Sequence, residues 1–87
     1  MQETLNYINE NKQRYVDELF ELIKIASISA DPAYKNDVLK CAEVCAEHLK
    51  NAGADNVEVC HTKGNPIVFG EKIINKDLPT VLVYGHY

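Results

Sequence analysis

Hydrophobic positions recur at two different periods along this chain, and the change comes at Gly53. Between Leu5 and Ala26, Tyr15, Val16, Leu19, Phe20, Leu22 and Ile23 fall at helical spacing, with Arg14, Asp17, Glu18 and Glu21 between them. The spacing predicts a helix over 5–26, with Thr4 placed to cap it. Asn9 and Asn11 favour non-helical local bonds, so a break or kink is expected near them. Ile25–Asp31 reads as a connector. In Asp31-Pro32 a capping carboxylate precedes a proline suited to a first helical position. A second helix is predicted from about Lys35 to Asn51, with Val38, Cys41, Ala42, Cys45, Leu49 and Ala52 as its buried stripe. The small residues Ala42, Cys45 and Ala46 permit close packing on that face. Gly53 suits a left-handed stop, and Lys50 lies near the negative end of the helix dipole.

After Gly53 the period becomes two. In Asn56–His61, Val57 and Val59 share one face while Glu58 and Cys60 share the other, the pattern of a half-buried strand. Lys63-Gly64-Asn65-Pro66 is turn-like, Ile67–Ile74 reads as a second strand interrupted by Gly70, and Asn75–Pro79 is a further turn. Thr80–Tyr84 is β-branched and apolar on both faces, which predicts a third, doubly covered strand. The fold class expected is therefore α/β, two helices followed by three strands. Two helices and two other strands hardly cover such a third strand. The sequence also stops one residue after His86, so it is expected to continue in the natural protein. An exposed apolar strand templates pairing, so self-association through Val81–Tyr84 or the apolar helix surfaces is expected.

Composition narrows the functional classes. With 87 residues the chain holds one small domain at most, and a chain of that size buries only about 60% of its unfolded surface. Hydrophobic residues at 46% and charged residues at 25% are ordinary globular values and argue against disorder. A net charge of −4, with no basic stripe, argues against a nucleic-acid partner. No apolar run is long enough to span a membrane, and Met1–Lys12 lacks the apolar core of a secretory signal. An odd count of three cysteines, Cys41, Cys45 and Cys60, in a leaderless chain points to a reducing compartment, with cytoplasmic location expected. Cys41 and Cys45 could present two thiolates to a metal. No CxxC or His pair completes such a site, so both read as small core residues. A thiol-based redox or metal-sensing role lacks a motif.

The candidate chemistry lies at the end of the chain. Gly85-His86-Tyr87 follows the third predicted strand directly, and in open α/β sheets functional groups collect beyond the carboxyl ends of parallel strands. Gly85 permits a sharp turn, and the His86 imidazole is a good zinc ligand. On spacing alone, a histidine satisfied by a backbone carbonyl is the better reading of a single His. His48 sits at the solvent edge of the second helix and His61 after a strand, and both read as surface residues. Asp31 reads as a cap and Glu71 as an exposed strand residue, not as acid/base groups.

Thr80–Tyr87, T-V-L-V-Y-G-H-Y, resembles the first metal-ligand segment of the zinc peptidase family of carnosinase-like dipeptidases, aminoacylases and desuccinylases. There an apolar strand ends in Gly-His-x-Asp. The form with Tyr after His resembles the carnosinase-like branch. Arg14–Ser29 (R-Y-V-D-E-L-F-E-L-I-K-I-A-S-I-S) is similar to that branch's opening helix and connector. Val38–Val59, ending L-K-N-A-G-A-D-N-V-E-V, is similar to its second helix and first strand. The resemblance implies that residues 1–87 are the N-terminal part of a three-layer α/β/α catalytic domain. It implies a two-metal dipeptidase that hydrolyses peptide bonds with metal-activated water, with His86 a ligand of one of two zinc (or manganese) ions. The family's general base, bridging Asp and remaining ligands fall beyond Tyr87. No catalytic residue is therefore expected within the chain, and these 87 residues alone are expected to bind zinc weakly at best and hydrolyse nothing. A dipeptide or small peptide is the implied substrate of the parent. The competing reading is a standalone α/β module that binds a partner through its sheet edge.

Overall fold

A computed structural model describes residues 1–87. Its elements run α1 (Gln2–Glu10), α2 (Lys12–Ile23), a single 3-10 turn (Pro32–Tyr34), α3 (Lys35–Asn51), β1 (Asp55–Cys60) and β2 (Ile67–Glu71). The one helix expected over 5–26 is thus two, starting at Gln2 with Met1 rather than Thr4 at the cap position. They divide at Asn11, whose backbone (φ −107°, ψ 10°) leaves the helical region. The Asn11 amide instead donates to the Tyr7 carbonyl at 2.8 Å, the local competition that makes Asn a poor interior residue. Arg14 bridges the break, donating to Asn11 Oδ1 (3.2 Å), Glu18 Oε1 (3.1 Å) and Tyr7 Oη (3.1 Å).

The start of α3 follows the sequence closely. Asp31 is extended (φ −118°, ψ 118°) and its carboxylate accepts from the Ala33 N–H at 2.9 Å, with Pro32 next in the turn. Asp31→Ala is expected to cost about 1 kcal/mol, the usual worth of such a cap. A urea titration that leaves the midpoint unchanged would remove the cap from the account. Helix α3 ends where Gly53 takes φ +93°.

Helix α3 lies across one face of an antiparallel hairpin, with Glu58 opposite Phe69, Val59 opposite Val68 and Cys60 opposite Ile67. One extra residue sits in β1 between Asp55 and Glu58. It is accommodated at Asn56 (φ +51°), a residue type that tolerates the left-handed region. The Asn56 amide donates to Glu71 Oε1 at 2.8 Å. Glu71 is thus half-buried and engaged, where an exposed strand residue was expected. Gly70 explains itself by packing. A Cβ there would stand 3.3 Å from Leu49 Cδ1 and 3.4 Å from both Ala54 Cβ and Val57 Cγ2. Replacing Gly70 by Val is expected to cost 1–3 kcal/mol, roughly the price of overpacking a tight contact, read from the thermal or urea midpoint. An unchanged midpoint would mean that α3 moves off the sheet freely.

The core is small. Only Val38, Cys41, Ala42 and Ala46 are buried, all on α3. Cys45 and Leu49 of the expected stripe are half-buried, and Ala52 is exposed because the helix has already ended. The apolar side of α2 is uncovered, with Val16, Leu19, Phe20 and Ile23 all exposed. So are Ile67 and Phe69, on the sheet face away from α3.

Two expectations are corrected here. The second strand ends at Glu71 rather than Ile74. The third strand does not form. The sheet has two strands, and Thr80–Tyr87 carries no regular structure. A strand is completed by a neighbour's backbone, so an apolar, β-branched run without a partner remains single. The fold is mixed α/β with one helix on one face of a two-stranded hairpin, in place of the three strands expected. No helix is long and apolar enough to cross a membrane.

Candidate functional site

His86 stands on the terminal segment, exposed, one residue after Gly85. Its Nε2 lies 3.1 Å from the Tyr84 hydroxyl, and the two rings meet edge to face with centroids 5.2 Å apart. The contact is local, between side chains two apart on one segment without regular structure. The imidazole is not satisfied by a backbone carbonyl. The segment's end is tethered by Tyr87, whose hydroxyl donates to the Pro66 carbonyl in the β1–β2 loop. The Tyr87 phenol lies near Cys41 and Cys45 of α3, and its pKa is pushed up by partial burial and by those thiols.

The other sequence candidates do not converge on His86. His48 is half-buried on α3, with Nε2 3.9 Å from Glu21 Oε2 of α2. His61 is exposed beside a shallow cleft of about 380 Å³ between the connector, the start of α3 and the β1–β2 loop. That cleft is lined by Asp31, Lys35, His61 and Lys63 among others, and His86 takes no part in it. Asp31 is committed to its cap.

Tested as a metal centre, these residues fit one corner of a site and not a whole one. No group of three or more His, Cys, Asp or Glu side chains converges anywhere in the chain, whereas a zinc site draws on three or four protein ligands. The cysteines do not supply the shortfall. All three are free, Cys41 is buried, and burial followed by the neighbouring Cys41 raises the Cys45 pKa. A raised thiol pKa disfavours the thiolate that binds metals and attacks electrophiles. The sign for stability follows: Cys45 holds its proton more tightly folded than unfolded. Its contribution is fully present below the ordinary cysteine pKa and is lost as pH rises through the raised folded value. Alkylation of Cys45 by iodoacetamide is accordingly expected to be slower than that of a free cysteine peptide at neutral pH, and to accelerate only above the ordinary thiol range. Peptide-like rates at neutral pH would contradict the burial that sets this shift.

Sequence reading found His86 but missed Tyr84 and Tyr87 as its neighbour and tether. Tyr84 in its apolar run reads as packing, and Tyr87 served only as a mark of the family resemblance.

No family model matches the chain, and no solved structure matches it. Among curated proteins it is similar to the Cys-Gly metallodipeptidase DUG1 of Candida albicans, 27% identical over 99 aligned positions that take in all of this chain. The chain spans only 20% of that relative's length. The likeness supports a distant metallopeptidase relationship.

Proposed function

We propose that these 87 residues are the opening portion of the catalytic domain of a metal-dependent dipeptidase, and that they contribute His86 as one ligand to a two-metal centre. The match to a Cys-Gly metallodipeptidase along the whole chain carries this reading. The segment Val81–Tyr87 supports it, because an apolar run that would enter a sheet ends in Gly-His at the place where an α/β sheet gathers functional groups. The bare outer face at Ile67 and Phe69 supports it too, since a second helical layer would cover that face.

Zinc, or manganese, would polarise the scissile carbonyl and activate water when bound. The residues present here hold no set of ligands and no general base, so no step is assigned to them beyond ligation by His86. Dipeptides or other short peptides, a Cys-Gly type among them, are the substrate class of the parent protein on this reading. The 87 residues by themselves are inactive.

The test starts at the gene. The codon after Tyr87 should read Asp, followed by further Asp, Glu and His positions over several hundred residues. The full-length product should hydrolyse dipeptides in a chelator-sensitive way, while the 87-residue chain does not. A stop codon after Tyr87, or a full-length product inert towards dipeptides with metal supplied, would overturn the reading. A small partner-binding α/β module would then take its place.

A further inference from the structure

We infer that the cleft between the connector, the first turn of α3 and the β1–β2 loop binds a small organic oxyanion, its carboxylate or phosphate head held by Lys35 and Lys63 and its apolar part resting on Ile28, Val38 and Leu39. None of Thr80–Tyr87 lines this cleft, so the inference rests neither on the peptidase reading nor on where that segment lies.

The first observation is charge. The chain carries −4 overall, yet this cleft is lined by two lysines, a histidine and a single carboxylate. That carboxylate, Asp31, already accepts from the Ala33 N–H at 2.9 Å. Asp37, the acid in the first turn of α3, is not part of the lining. The ion pairs of the chain are Arg14–Glu18, Glu21–His48 and Asp55–Lys72, so Lys35 and Lys63 are both unpaired. One stands on the helix wall and the other on the loop wall. Two free ammonium groups flanking one concave surface attract anions and offer them charge-assisted hydrogen bonds, and the His61 imidazole adds a further donor.

The second observation is shape. At about 380 Å³ the cleft falls in the range of small-molecule sites, roughly 300–1,000 Å³. Val38 is buried and Leu39 half-buried, so the helix wall is apolar beneath its charged end. The loop wall is already fixed. The Thr62 hydroxyl donates to the Asn65 carbonyl at 2.9 Å and accepts from the Gly64 N–H at 3.0 Å, which holds the turn that carries Lys63. A wall ordered in advance lowers the entropic cost of binding.

Titration of the isotopically labelled chain with phenyl phosphate, benzoate and inorganic phosphate at low ionic strength tests this. Saturable amide shifts are expected over residues 28–39 and 61–66, with a dissociation constant on the order of 1 mM for phenyl phosphate. Inorganic phosphate should bind at least about threefold more weakly, because it has no ring to cover the apolar wall. Benzoate equal to phenyl phosphate would name a carboxylate as the ligand, and weaker benzoate a phosphate ester. Lys35→Gln and Lys63→Gln together should weaken binding at least about tenfold, while Lys12→Gln, outside the cleft, should not. Both lysines are exposed, so the variants keep the fold, which their amide spectra will report. In the full-length product, phenyl phosphate should slow the acetylation of Lys35 and Lys63 by acetic anhydride, read by mass spectrometry. Four results would overturn the proposal. Shifts that never saturate would, and so would shifts spread over lysines throughout the chain. Binding indifferent to the double substitution would remove the lysines from it. Lysines unreactive in the full-length product before any anion is added would show the cleft covered by the polypeptide itself.

Discussion

A carboxylate at position 42 is expected to unfold the chain. Ala42 is 0% exposed, at the centre of the α3 face that meets the sheet, and its buried neighbours are Val38, Cys41 and Ala46. None of these is a hydrogen-bond donor of any strength, and no buried cation is present to pair with a new charge. Burying an unpaired carboxylate costs several kcal/mol even after relaxation. A domain of this size has about 4–13 kcal/mol of stability in total, and a four-residue core places this one at the low end. Ala42→Glu should therefore abolish the cooperative thermal transition and the dispersed amide spectrum. Ala42→Gly should cost only about 1 kcal/mol, the helix-propensity difference, and leave both measurable. Glu43→Ala, one residue along on the exposed face, should stay within about 0.5 kcal/mol of the parent. A folded Ala42→Glu chain would mean that the α3–sheet contact is not what holds the structure together.

The same residues show what the sequence made legible. Val38, Cys41 and Ala42 lie on one face because the helical period puts them there, and that period is a local property of the chain. The break at Asn11, the cap at Asp31 and the stop at Gly53 are local too, the first two set by a side chain bonding nearby backbone and the third by the left-handed conformation that the missing Cβ permits. Strand Asp55–Cys60 was readable from alternation, although its bulge at Asn56 was not, since a bulge exists only relative to a partner strand. Thr80–Tyr84 failed as a strand for a related reason. Its composition fits a strand covered on both faces, but composition cannot provide the neighbouring backbone. Periodicity likewise marked the apolar side of α2 without revealing that Leu19, Phe20 and Ile23 stay more than half exposed. Cys45 was read as a buried core thiol and is half-buried, because its position on the stripe says which way it points and not how far the cover extends. For the candidate site, the Gly85-His86 pair was legible as a motif. The remaining ligands were not, because no group of three or more His, Cys, Asp or Glu side chains converges in these 87 residues.

On the dipeptidase proposal, replacing His86 by Ala in the full-length product is expected to lower dipeptide hydrolysis by more than about 100-fold, and to lower bound metal with it. Removing a group that merely orients a metal ligand costs about 10–100-fold, and removing the ligand itself should exceed that. The structure makes this substitution unusually clean. In the 87-residue chain His86 is exposed, belongs to no helix or strand, and meets Tyr84 through its Nε2 and ring edge. In that chain its loss should change stability by less than about 0.5 kcal/mol, and a thermal midpoint of the metal-free full-length variant separates lost chemistry from unfolding there. Tyr84→Phe separates the two roles left for this pair. It deletes the hydroxyl that faces Nε2 at 3.1 Å while keeping the ring. If Nε2 is the metal-facing nitrogen, the Tyr84 hydroxyl competes with the metal, and Tyr84→Phe should bind metal at least as tightly as the parent. His61→Ala, exposed on the β1–β2 loop and outside the Gly85-His86 motif, should leave both metal content and turnover unchanged. An active His86→Ala enzyme with its full complement of metal would end the proposal that this histidine is a ligand, whatever the longer protein turned out to hydrolyse.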